Sequence, residues 1–314
     1  MPLQPTSRLA PSPTGALHLG NARTFLVNWA MARQRGWRLL MRIEDLDGPR
    51  IKSDAAAQTI DTLRWLGLDW DDDVLVQSDD LSPYINAAES LCAAGSAFHC
   101  NLSRAEISAA ASAPQQGVHE TTFARHLRPA HAGEPCAFDE ATANIRFLVP
   151  ETTLSIEDGF CGTTQHDVAG CPGDFVIWTR RGCPAYQLAV VVDDARQGVT
   201  DVVRGDDLLA SAARQELLAR ALDLPSPHWW HLPLVLGEDG HRLAKRHGDT
   251  RIDTYRTLGV PPERLLGLLA CWCGLTERPQ ELTIAEVLER FDLDRLPRVP
   301  VTMTGEDDRW LRSV

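Results

Sequence analysis

Between Ala10 and Asn21 the chain reads APSPTGALHLGN, and this stretch restricts the fold more than any other. Pro11 and Pro13 fix the backbone of a sharp turn after a short strand, and Gly15 permits tight geometry there. A helical pattern follows at once, with Phe25, Trp29 and Ala32 at helical spacing and Gly36 as a C-terminal stop. His18 and Gly20 therefore stand at the start of a helix, where free N–H groups and a partial positive charge suit a phosphate. Gly20 lets a flat ring approach the backbone, and His18 can donate to charge developing on a phosphate. Taken singly, each residue is better read as part of a proline-rich turn with a buried histidine.

The alternation continues. Leu39–Ile43 is a short apolar strand ending in acid, and Ser53 is the N-cap of a helix with Ile60, Leu63 and Leu66 on one face. Loop, helix, strand, helix at these spacings predicts an α/β fold with a parallel sheet. Residues 96–173 are patchier: an alanine helix breaks at Pro114 and Gly117, and RPAHAGEPCAF has loop character, as in an insertion. From 174 the α/β texture returns with three strand candidates, and the apolar run QLAVVVDD is expected to be a central strand. A helix follows from Ser211 to about Leu222. Beyond 237 the chain turns helical, with a proline opening PPERLLGLLACWCGL and Thr283 and Glu286 in capping-box register.

Charge and thiols narrow the class. The net charge of −12 excludes a wholly polybasic nucleic-acid binder but leaves room for a local basic face on RNA. The opening residues lack the apolar core of a signal peptide, and no apolar run approaches a membrane span. The eight cysteines form no C-x-x-C pair, so the expectation is a cytoplasmic protein with reduced thiols and no membrane partner.

The stretch P-S-P-T-G-x-L-H-L-G-N resembles the first nucleotide-binding motif of class I aminoacyl-tRNA synthetases, in its glutamyl and glutaminyl form. The family's His-Ile-Gly-His is here His18-Leu19-Gly20-Asn21, in which Asn21 keeps a side-chain donor but loses a titratable ring. The family's Lys-Met-Ser-Lys-Ser loop has a degenerate counterpart in Arg242-Leu243-Ala244-Lys245-Arg246. The resemblance implies that His18 and Lys245 are catalytic, and that Pro11, Ser12, Gly20, Asn21 and Arg242 join them in holding ATP. It implies a glutamate pocket as well. Arg8 pairs the side-chain carboxylate, for which an arginine fork is suited, and Glu44 takes the amine. Tyr186 and Arg204 complete that pocket with Ala10 and Ser12, while Asp206 and Asp207 orient the site. The implied architecture is a Rossmann-type catalytic domain in two halves, 1–95 and 174–236, split by an insertion at 96–173. The Lys245 loop and a small helical region follow over 237–314.

What the family does becomes the functional expectation: ATP and Mg²⁺ activate L-glutamate to glutamyl-adenylate, and the glutamyl group passes to an RNA hydroxyl. Only 69 residues follow Lys245, too few for the anticodon-binding domains of a full glutamyl-tRNA synthetase. The chain thus resembles the short branch of the family that esterifies glutamate to the queuosine base in the anticodon stem-loop of tRNA(Asp), and a monomer is expected. Two alternatives stand: a truncated synthetase charging a tRNA 3′ end, and an inactive synthetase-like RNA-binding protein.

Zinc is not expected. Many family members bind it in the insertion through C-x-C, a tyrosine and a final cysteine, but here Leu102 stands where the second cysteine belongs and Ala124 takes the last place. Cys136, Cys161, Cys171, His99 and His119 lack metal-ligand spacing. Asp69, Asp71, Asp72 and Asp73 read as a solvated loop, and Cys271 and Cys273 as packing residues. Asp193 and Asp194 suit magnesium or a structural role at a strand end equally.

Overall fold

The structure, a computed structural model, describes residues 4–13, 17–46, 54–110, 121–243 and 250–313. Strand β1 (Thr6–Leu9) is buried at every position and leads through Pro11 to helix α1 (Leu19–Arg35). Gly36, at φ 66°, ends that helix in the left-handed conformation a glycine adopts without strain. Strand β2 (Arg38–Ile43) returns parallel to β1, with Arg8 opposite Leu40. Helix α2 (Ala55–Trp65) crosses to the short parallel strand β3 (Leu75–Val76), and α3 (Ser82–Ala93) follows.

The middle of the chain is antiparallel. It runs through β4 (Ala97–Cys100), α4 (Arg104–Ala110), β5 (Asn144–Phe147), the hairpin of β6 (Thr153–Asp158) and β7 (Gly162–Asp167), then β8 (Phe175–Thr179) and β9 (Cys183–Pro184). Strands β4, β5, β8 and β9 form one sheet in that order. Its pairing therefore crosses residue 173, because hydrogen bonding between strands follows register and leaves no mark in composition.

Parallel structure resumes with α5 (Tyr186–Arg196), β10 (Asp201–Gly205), α6 (Leu209–Ala221) and β11 (His228–Leu232). The hairpin joins here, with Asp158 of β6 opposite Trp229 of β11. The N–H of Thr200 donates to the carbonyl of Thr6 at 2.9 Å, which sets β10 beside β1. Across that junction the strands run β3-β2-β1-β10-β11. This is a doubly wound order, and ligands bind at the carboxyl ends of such strands where the order reverses. The chain closes with β12 (Val235–Leu236), α7 (Ile252–Thr257), α8 (Pro262–Trp272), α9 (Ile284–Arg290), β13 (Val301–Thr302) and α10 (Gly305–Arg312). Leu265 and Leu269 of α8 and Val287 of α9 share one core with Leu26 and Met31 of α1.

QLAVVVDD is not a strand: it lies in α5, and every residue from Gln187 to Asp194 is buried. A continuous apolar run marks burial on all sides, which a central strand and a buried helix share. Here α3, α6 and β8 surround it. Only β8 and β10 remain of the three strand candidates in that segment. Pro262 opens α8, and the Thr283–Glu286 capping box is formed. Gly15, Ser53, Pro114 and Gly117 lie outside the described residues. Among the described residues no helix is long and apolar enough to cross a membrane.

Candidate active site

A cavity of about 2270 Å³ opens at the carboxyl ends of β1, β2 and β10. Pro11, Ser12, His18, Gly20, Asn21 and Arg242 line it. His18 is the N-cap of α1, and its Nδ1 accepts from the Asn21 N–H at 3.4 Å. Burial, helped by the nearby Arg242 guanidinium, holds the imidazole down to about 4. The ring is therefore neutral near pH 7. Since Nδ1 accepts, the proton sits on Nε2 and remains available to a ligand. Gly20 has a steric reason: a Cβ there would lie 3.2 Å from both Cε1 and Nδ1 of His18.

The start of α1 is pinned to the chain beyond residue 249. Leu19 N donates to Thr250 O at 3.1 Å, and Ile252 N donates to Leu17 O at 2.9 Å. On the near side, Leu243 N donates to Val235 O at 3.0 Å, and Arg242 pairs with Asp207. Leu243 and Thr250 both line the cavity, so the segment carrying Lys245 is rooted on its wall at both ends. Lys245, with Ala244 and Arg246, lies outside the described residues.

Arg8, Ala10, Glu44, Tyr186 and Arg204 line the same cavity. Arg8 is buried in β1, and its Nε donates to Asp194 Oδ1 at 3.2 Å. Among the described residues, no hydrogen bond takes up its two terminal nitrogens. Arg42, fully buried, donates to Asp194 at 2.7 Å, to Gln197 at 2.9 Å and to Glu44 Oε1 at 3.1 Å. Glu44 thus keeps Oε2 for another donor. Burial lifts the Glu44 carboxyl above its ordinary value against the pull of Arg42 and Arg8. Burial also works to raise Asp194, but Arg42 and Arg8 hold it below the usual range. Tyr186 is 40% exposed, onto the cavity. Arg204 donates from Nε to His231 Nε2 at 2.9 Å, from Nη1 to Gln215 at 2.8 Å and from Nη2 to Leu208 O at 3.2 Å.

The wall therefore offers free guanidinium N–H groups for a carboxylate, a carboxylate oxygen for an ammonium, and a helix N-terminus beside a neutral N–H for a phosphate. Asp193 and Asp194 lie within α5 rather than at a strand end, and both have protein partners. Asp193 accepts from Tyr84 at 2.9 Å and Gln77 at 2.7 Å, and Asp194 serves Arg8 and Arg42. Sequence reasoning missed Arg42, Gln215 and His231. The signal for Arg42 was a cation between the apolar residues of β2, which demands a buried counter-charge. Cys100 packs with Phe98, Ile107, Phe123 and Leu102 in a small apolar cluster. Among the described residues no group of three or more His, Cys, Asp or Glu side chains stands placed to hold a metal ion, and His119 lies outside them.

Residues 5–305 match the catalytic-domain family of class I tRNA synthetases (E and Q). The chain belongs to this family. Two relatives match at nearly full length on both sides. The glutamyl-Q tRNA(Asp) synthetase of Symbiobacterium thermophilum is 44% identical over 311 residues, covering 95% of this chain and 96% of that one. That of Rhodopirellula baltica is 43% identical over 324 residues, covering 94% and 95%. The glutamate–tRNA ligase of Desulforamulus reducens is 35% identical over 318 residues, a match that takes in 98% of this chain but 66% of the ligase. The crystal structure of glutamate-tRNA synthetase from Elizabethkingia anophelis aligns with TM-score 0.79 over 98% of this chain and 70% of that chain. At 24% identity it attests the fold.

Proposed function

We propose that this chain is a ligase that activates L-glutamate with ATP and passes the glutamyl group to the queuosine base in the anticodon of tRNA(Asp). The observation that carries the chemistry is one cavity holding both a pocket for an α-amino dicarboxylate and a helix N-terminus suited to phosphate. Arg8 binds the side-chain carboxylate of glutamate and Glu44 its ammonium, with Arg204, Tyr186, Ala10 and Ser12 enclosing it. Pro11, Ser12, Gly20 and Asn21 seat ATP. The α-carboxylate oxygen attacks the α-phosphorus, that phosphorus parts from pyrophosphate, and no covalent enzyme intermediate forms. His18 Nε2–H, Lys245 and Arg242 stabilise charge on the phosphates, so catalysis is positioning plus electrostatics. The described residues offer no carboxylate cluster for Mg²⁺, so the ion is expected as the companion of ATP, and no step is assigned to it.

The RNA partner is supported by the outer wall of the same cavity. Arg104, Arg180 and Arg181 line it, all exposed, and none forms an ion pair with another described residue. On a chain of net charge −12 they are a local basic face for phosphates. The match with the glutamyl-Q synthetases at nearly their full length supports the anticodon stem-loop as acceptor region. The same reading takes the protein as a cytoplasmic monomer, with catalytic halves at 1–95 and 174–236 around an insertion. The match with glutamate–tRNA ligases keeps 3′-end charging as the second reading.

Transfer of labelled glutamate, with ATP and Mg²⁺, to matched tRNA pools with and without queuosine decides between them. Labelling that requires queuosine is expected; equal labelling of both pools would sink the proposal in favour of 3′-end charging. Undiminished adenylate formation by Lys245→Ala would remove Lys245 from the mechanism.

A further inference from the structure

We propose that His231 and Asp158 act as a positioning dyad for Arg204, and that the β6–β7 hairpin thereby takes part in glutamate recognition. The inference rests on the reading of Arg204 as a glutamate-binding residue. His231 lies opposite Arg204 in the β10–β11 pairing and is fully buried. Its Nε2 faces Arg204 Nε at 2.9 Å, and its Nδ1 faces Asp158 Oδ2 at 2.6 Å. A guanidinium has donors and no acceptor, so Nε2 must carry the lone pair and Nδ1 the proton. One tautomer results, and Asp158 fixes it.

Asp158 is itself immobilised. Its carboxylate accepts from the N–H groups of Phe160 at 2.9 Å, Cys161 at 2.7 Å and His231 at 3.1 Å. Burial and the Arg204 charge lower the imidazole pKa despite Asp158, which keeps the acceptor lone pair free. Trp229 completes the frame: its ring centroid lies 4.7 Å from Arg204 Cζ and 6.0 Å from the His231 ring. With Gln215 and Leu208 O engaged, Arg204 keeps one hydrogen on each terminal nitrogen for a carboxylate. Removing the Nε acceptor would leave a buried donor unpaired and free the guanidinium to turn. Asp158 ends β6, so a strand outside the catalytic halves sets the aim of a pocket residue.

The test uses substitutions that separate the two ring nitrogens. Asparagine puts its polar end near Nδ1, and glutamine reaches the place of Nε2. Glutamate Kd, and KM for glutamate and for ATP in pyrophosphate exchange, are measured on His231→Asn, His231→Gln and Arg204→Lys with thermal midpoints alongside. In His231→Asn the glutamate Kd should rise about tenfold or more. His231→Gln should recover most of that loss, and KM for ATP should stay within about twofold throughout. Equal impairment of His231→Asn and His231→Gln, or parallel rises in both KM values, would overturn the dyad's role. If Arg204→Lys binds glutamate as the parent does, the pocket reading itself falls and the dyad with it.

Discussion

His18 joins three properties in one side chain: it caps α1, it is neutral, and it keeps one N–H for a ligand. Asparagine can imitate the first two. His18→Asn should therefore preserve stability to within about 0.5 kcal/mol at pH 7, read by urea denaturation. It should lower the rate of adenylate formation about 10²- to 10³-fold. A variant with parental rate would take His18 out of catalysis. The same residue makes stability pH-dependent. Its folded pKa, about 4, lies below the ordinary 6.5, so between those values the unfolded chain binds a proton that the folded chain refuses. Stability should fall as pH drops through that window, and His18→Asn should shrink the shift in urea midpoint between pH 7 and pH 5. Most residues of the pocket were legible because they sit inside motifs. His231 was not, since nothing in HWWHL tells that its second histidine faces the arginine of VVRG.

At the scale of elements, β2 carries Arg42 into an interior where Glu44, Asp193 and Asp194 surround it. Replacing it by methionine roughly keeps volume, leaves Glu44 without its cation and takes one cation each from Asp193 and Asp194. Arg42→Met should cost about 3–5 kcal/mol, measured by urea unfolding at pH 7; a loss under about 1 kcal/mol would show that water reaches the cluster. The acidic run after α2 is more than a solvated loop. Asp69 accepts from Trp29 and Arg33, Asp71 from Arg33 and from Leu39 N, and Asp72 pairs with Arg38, which ties α1 to β2. Charge alone predicted solvation because the partners lie far away in sequence. Helix α5 departs from the expected strand for a related reason: hydrophobicity reports how much is buried, and only packing decides the backbone period. Cys100, Leu102, Phe98, Ile107 and Phe123 pack by apolar contact. Prolonged dialysis against a chelator should leave the thermal midpoint unchanged, and a drop of several degrees would reveal a structural metal.

For the molecule as a whole, charge is unevenly spread. An acidic chain places Arg104, Arg180 and Arg181 on the rim of its cavity. Removing Arg180 and Arg181 together should weaken RNA binding and make the log–log dependence on salt shallower by about 1.5. Unchanged slope would move the RNA path elsewhere. The α/β class was legible from the alternation of elements. The order β3-β2-β1-β10-β11 was not, since its junction is made by Thr6 and Thr200, 194 residues apart.

That distance has a meaning for the protein's synthesis. Arg8 leaves the ribosome early, whereas Asp194, its partner 186 residues on, leaves much later. Until α5 emerges, the growing chain carries a cation meant for a dry interior without Asp194, its ion-pair partner there. The early strands cannot close on a finished pocket, and no half-made chain has one. A polypeptide interrupted before α5 lacks Tyr186, Asp194 and Arg204, and with them part of the pocket proposed for glutamate.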